Sequence, residues 1–216
     1  MQLNEATNFT VLIPDLRGHG ERPAIKESSF GGCEADDLAN AIEFLNNLKT
    51  EKTGEKLTNG KIGVYGVETG ALAAAFGAAN SAAVAALALD SVPASSGAVI
   101  ESVVNSRASF VSIAATPLAQ SAAPLYFARG CYKNSPICEA AQSLQNRKIL
   151  LLAGNDAAEW QNSTRDFASC LNNPANVHQK LDLPNSGYNI AAATNGAQQA
   201  AYNKIVIEFF SDALNK

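Results

Sequence analysis

Short apolar runs alternate with amphipathic helical stretches along most of this 216-residue chain, the pattern of a parallel sheet covered by helices. Thr10 to Ile13 (TVLI) predicts a buried strand, ended by Pro14 and the polar, glycine-bearing DLRGHGERP. In EADDLANAIEFLNNL, residues 34–48, the positions Leu38, Ile42, Leu45 and Leu48 fall three and four apart and form one apolar stripe. The acidic residues at its start suit a helix N-terminus. Lys61 to Tyr65 (KIGVY) predicts a second strand, and from Gly70 the run GALAAAFGAAN predicts a helix whose small side chains let it pack very close to its neighbours. Ala85 to Leu89 and Ile149 to Leu152 predict a third and a fourth strand. His178 to Leu183 alternates, which places a fifth nearer a sheet edge. AAYNKIVIEFFSDAL closes the chain as a helix, with Ile205, Phe209 and Leu214 among its inward positions. The Ser- and Ala-rich stretch between the third and fourth strands holds at least one helix and has room for a small lid within 95–147.

The expected fold class is therefore α/β: a mainly parallel sheet of about five strands flanked by helices, in one domain over 1–216. Composition agrees. Hydrophobic residues make up 47% and charged residues 17%, enough apolar material for one substantial core. A net charge of -4 with scattered Lys and Arg gives no electrostatic footprint for nucleic acid. No apolar run reaches the ~18–20 residues of a membrane span, and MQLNEATNF has neither the basic nor the apolar part of a secretion signal; a soluble chain is expected. Cys33, Cys131, Cys138 and Cys170 lack zinc-finger spacing, so neither a metal nor a cofactor is expected. Cys131 and Cys138 bracket the loop YKNSPI, where two readings stand side by side. They are two ordinary thiols, or they close a small disulfide in a periplasmic or secreted protein.

Four segments in order resemble landmarks of the α/β-hydrolase superfamily, esterases and dienelactone hydrolases among them. VLIPDLRGHGERP resembles its fourth-strand segment with the RGHG turn. KIGVYGVETGALAA resembles the strand, nucleophile elbow and helix, whose usual form is G-x-S-x-G. ILLLAGND resembles the strand that presents the triad acid, and LDLPNSGYN the loop that presents the triad histidine. In such an elbow the central residue sits in a strained backbone conformation and the flanking glycines, here Gly66 and Gly70, make room for it.

Carried over position by position, the resemblance puts Glu68 at the nucleophile, Asp156 at the acid (Asn155 is one step off in register) and Tyr188 at the histidine. A triad needs a base that picks up and returns a proton near neutral pH, and a phenol with an ordinary pKa of ~10 does not. A carboxylate nucleophile can form an ester, but releasing it needs the missing base. His19, in the RGHG turn, is implied to stitch that turn, and His178 starts a strand at the far end. Val67 and Thr69, beside Glu68, and His19 complete the residues a small ligand would meet. Thr69 also offers the remaining backbone donor for an oxyanion. Two functions follow: a non-catalytic binding or interaction protein with a degenerate triad, or a hydrolase of small esters using Glu68 as nucleophile or general base.

Relative to the superfamily, the first strands are absent. TVLI is then expected to pair directly with KIGVY in a sequential sheet, with the crossover helices on one face and only the last helix on the other. A face so thinly covered calls for a homodimer through it, for the N-terminal part of a parent chain, or for a novel cover drawn from residues 95–147.

Overall fold

The computed structural model describes residues 3–21, 25–127, 131–190 and 196–215. In chain order its helices and strands are α1 (Leu3–Ala6), α2 (Glu34–Asn47), β1 (Ile62–Val67), α3 (Thr69–Ala79), β2 (Val84–Asp90), α4 (Ser96–Ala108), α5 (Ser112–Tyr126), α6 (Cys138–Leu144), β3 (Lys148–Gly154), α7 (Ala158–Cys170), β4 (Val177–Leu183), α8 (Gly187–Ile190) and α9 (Gly196–Leu214). The strands form one four-stranded sheet in the order β1-β2-β3-β4, and every pairing is parallel. The expected α/β class with a sequential parallel sheet is what is found.

Alternation within each strand splits the core in two. Ile62, Val64, Leu87, Leu89, Ile149 and Leu151 point to the face covered by α2, α3, α6 and α7, where Leu72, Leu144 and Phe167 are fully buried. Ala86, Ala88, Leu150 and Leu152 point to the other face, against Tyr202, Val206, Phe210 and Ala213 of α9. Leu3 and Phe9 add partial cover on that side. The alanine-rich α3 packs close, as expected: a Cβ on Gly77 would lie 2.8 Å from the Ala35 carbonyl of α2. The inward positions of α9 are one step away from Ile205, Phe209 and Leu214, which are only partly buried at its flanks.

Two expectations are corrected. Thr10 to Ile13 belongs to no strand, and Ile13 is 84% exposed. Val11 and Leu12 are also 42% and 39% exposed, so the run buries too little apolar surface to offset the entropy of ordering it as a strand, and β1 is left as the sheet's edge. The cysteines also pair differently: Cys33 bonds Cys131 and Cys138 bonds Cys170. Cys138 opens α6 and faces the end of α7, whereas Cys131 lies beside the start of α2. The loop between Cys131 and Cys138 is therefore held at both ends by other parts of the chain.

The RGHG turn acts as a brace. Arg17 donates from Nε and Nη2 to the two carboxylate oxygens of Asp37 at 2.7 and 2.6 Å, a paired geometry that favours the ionised partners. This pairing, a hydrogen bond first of all, raises the guanidinium pKa further. Gly18 and Gly20 take positive φ angles of 72° and 81°, which side chains disfavour. His19 is exposed, and its Nδ1 lies 2.9 Å from the Arg17 carbonyl, in keeping with a turn-stitching role. Next in the chain, the fully buried Glu34 accepts hydrogen bonds from Ser28 and Ser29 hydroxyls and from the amides of Ser29, Gly31 and Cys33. A buried carboxylate is tolerated only when so saturated.

Candidate functional site

Parallel strands bring their C-terminal ends to one edge of the sheet, where α/β proteins build their sites. Glu68 follows β1, Asp90 ends β2, Asp156 follows β3, and Ser186 to Asn189 follow β4. Glu68 stands between strand and helix with φ 49° and ψ −116°, a strained conformation for a non-glycine residue that costs on the order of 1–3 kcal/mol. Its amide donates to the Asp90 carbonyl at 2.9 Å, and its own carbonyl caps the amides of Ala71 and Leu72. This is the geometry of an elbow.

Only one of the two glycines is sterically required. A Cβ on Gly66 would sit 2.6 Å from the Gly70 carbonyl carbon and 2.8 Å from the Ala71 nitrogen, whereas one on Gly70 would meet nothing within 4 Å. The crowding is on the strand side, where the first turn of α3 folds back over Gly66.

Half-burial raises the Glu68 carboxyl pKa above its ordinary 4.5, with Glu159, Asp90 and Asp156 adding like-charge repulsion in that order. For an acid, a folded-state value above the unfolded one means that its stabilising contribution is complete below the unfolded value and is lost as pH rises through the folded one. At pH 7 the Glu68 carboxylate therefore burdens the fold. Glu68→Gln is expected to melt at a higher temperature than wild type at pH 7, with the gap closing toward pH 4. A gap of equal size at both pH values in parallel thermal melts would show that the charge is not the cause.

Asp156, though exposed, accepts three hydrogen bonds from the loop after β4. Its Oδ1 accepts the Ser186 amide at 2.6 Å, and its Oδ2 accepts the Ser186 hydroxyl at 2.9 Å and the Asn189 amide group at 2.8 Å. Gly154 permits this approach, since a Cβ there would collide with the Ser186 amide and Asp156 Oδ1. Tyr188, inside the same loop, is 68% exposed and is not among those donors. Val67 is half-buried at the end of β1, near Gly187, and Thr69 opens α3 with its amide at the helix N-terminus. His178 starts β4, at the opposite end of the sheet, with its ring 6.3 Å from that of Phe209.

A second acid escaped the sequence reading. Asp90 is fully buried; its Oδ2 accepts the Gly187 amide at 2.7 Å and the Tyr202 hydroxyl, and its Oδ1 accepts Ser91 Oγ at 2.8 Å. Tyr202 is in turn 2.8 Å from the Tyr65 hydroxyl. Burial raises the Asp90 pKa, against the opposing pull of those hydrogen bonds. Burial likewise pushes Tyr65 up to about 12, with the Tyr202 hydrogen bond opposing it. The signal was present as the carboxylate ending ALALD, parallel to the one in AGND, but with no turn motif after it the residue reads as an ordinary strand end.

The open apolar groove lined by Phe30, Ile100, Val104, Ala123, Tyr126 and Phe127, about 430 Å³ in volume, includes none of Glu68, Asp156 or Tyr188. Among the described residues no group of His, Cys, Asp and Glu has the disposition to hold a metal ion, and no helix is long and apolar enough to cross a membrane.

Sheet order, elbow and loop together define an esterase-like α/β fold. Three crystal structures of the Pyrococcus furiosus esterase Pf2001, in different crystal forms, share it, with TM-scores of 0.58, 0.56 and 0.52 at 18%, 18% and 19% sequence identity. Each comparison covers 93% of this chain, and respectively 69%, 68% and 67% of the esterase chain. At that identity the likeness is one of fold. No protein-family model matches the chain, and no curated protein matches its sequence.

Proposed function

We propose that this chain is a hydrolase-like protein that has given up turnover and works by binding or interaction. One observation supports this reading above the rest: the Asp156 carboxylate is bonded to Ser186 and Asn189, while Tyr188, at the base position, is not among its donors and stands 68% in water. An acid whose hydrogen bonds go to Ser186 and Asn189 orients no base, and a tyrosine in the histidine's place supplies no imidazole to pick up and return a proton. Any small ligand at the sheet edge would be neutral or cationic, because Glu68 lies within the repulsive field of Glu159, Asp90 and Asp156. Two disulfides fit a periplasmic or extracellular setting.

Hydrolysis of short-chain p-nitrophenyl esters tests the reading, with wild type beside Glu68→Ala and Glu68→Ser. All three are expected at background. Turnover by wild type that vanishes in Glu68→Ala would instead establish a working carboxylate.

The strained backbone at Glu68 favours a second reading, a hydrolase using Glu68 as nucleophile or general base, because strain concentrates at working sites. That reading requires a compensating base, and His19 is the candidate. It stands if His19→Ala abolishes turnover without lowering the melting temperature, and falls if activity is unchanged.

A further inference from the structure

We propose that α5 is the contact surface for a second copy of this chain, paired antiparallel about a two-fold axis at Leu118. Residues 112–127, SIAATPLAQSAAPLYF, carry no charged side chain on any face. A helix of that kind is normally buried, yet Leu118, Leu125 and Tyr126 are 73%, 78% and 70% exposed, and Phe110 and Ile113 just before and within it are 90% and 93% exposed. With Val111, and leaving out Ile113, which lies about 140° around the helix from Leu118, these side chains leave on the order of 550 Å² of apolar surface in water, so two copies would bury roughly 1,100 Å² in all, at the low end of specific interfaces.

The spacing specifies the partner. Val111, Ala115, Leu118, Ala122 and Leu125 alternate four and three residues apart, the seam that packs one helix against another. The alanines, alternating with larger residues, let a second helix come close. Pro117 and Pro124 each precede a leucine of the seam by one position and so stand about 100° away, off the contact line.

Two-fold symmetry requires a self-complementary surface. In an antiparallel pair centred on Leu118, Val111 of one copy meets Leu125 of the other. Phe110 then arrives level with Tyr126, at the mouth of the apolar groove, which Ala122 also lines. The surface thus carries both the projecting ring and the hollow that receives it. A lipid surface is the poorer fit, because interfacial helices carry Lys and Arg on their polar face and α5 has neither. In a chain of net charge -4, an uncharged helix is also where two copies meet with least repulsion. The inference stands whether or not Glu68 performs chemistry.

Light scattering on the full chain at about 50 μM tests it. The expected mass is twice 22.6 kDa, falling to the monomer value in Leu118→Glu and in Leu125→Glu with circular dichroism unchanged. Should either variant misfold, Leu118→Cys gives an independent reading, since the four native cysteines are all bonded to one another. A cysteine on the axis is expected to cross-link two copies spontaneously, and Ile113→Cys is expected not to. A monomeric wild type, a dimer untouched by the glutamates, or cross-linking through Ile113→Cys in place of Leu118→Cys would overturn the proposal. So would flotation of wild type, but not of Leu118→Glu, with phosphatidylcholine–phosphatidylserine vesicles.

Discussion

Gly66→Ala is expected to lower stability by about 3 kcal/mol, because the added methyl meets backbone rather than a side chain that can move aside. The atoms in the way are the Gly70 carbonyl and the Ala71 nitrogen, both fixed by α3, whose first turn is tied to Glu68 by the hydrogen bonds from Ala71 and Leu72. Relief would mean moving α3 off the sheet, and α3 is the helix that buries Leu72 and its alanines against β1 and β2. In a domain of this size the melting temperature should fall by about 10 °C. Gly70→Ala is the control. Its Cβ meets nothing within 4 Å, and alanine is the better helix former, so its melt should match or exceed wild type. Equal losses for the two variants in calorimetry would mean that the crowding described at Gly66 is not real.

Reduction of the disulfides is expected to be the second large effect. The Cys33–Cys131 bond closes a loop of 98 residues and Cys138–Cys170 one of 32. By the chain-entropy relation they contribute about 4.7 and about 3.7 kcal/mol respectively. Their sum is comparable to the whole stability of many domains, about 5–15 kcal/mol, so the reduced chain should be unfolded or nearly so at 37 °C. Cys33→Ser should cost more than Cys170→Ser, by about 1 kcal/mol, since the effect grows only with the logarithm of loop length. Non-reducing peptide mapping checks the pairing directly, and a peptide joining Cys131 to Cys138 would contradict it. A melting temperature unmoved by reductant would contradict the energetics.

The same cysteines show where sequence reading stops. Periodicity located α2 and the strands β1 to β4 within a residue or two, because each buries a face whose repeat is written locally. The elbow was legible for the same reason: a strand, G-x-x-x-G and a small-sided helix lie side by side. Disulfide partners are set by tertiary proximity, and no local pattern distinguishes Cys131 facing Cys33 from Cys131 facing Cys138. Thr10 to Ile13 failed differently. Its residues are as apolar as those of β1, but burial depends on neighbours from elsewhere in the chain. In α9 the stripe was read one position off because Tyr202 counts as core only once its hydroxyl has found Asp90, and Ala213 is too small to stand out. Around the site, Glu68 and Asp156 come to the same edge, whereas Asp90 was missed because its partners, Gly187 and Tyr202, are about a hundred residues away in sequence.

The strand order has a consequence for how the molecule assembles. Since β1, β2, β3 and β4 pair strictly in succession, each strand leaving the ribosome finds its partner already made, although β3 must first wait for the whole of residues 91–147, a long-range closure that slows folding. Later still comes the closing of the face formed by Ala86, Ala88, Leu150 and Leu152, whose principal cover, α9, is synthesised after all four strands. Until that helix docks, the growing chain holds a finished sheet with one oily side open to its surroundings.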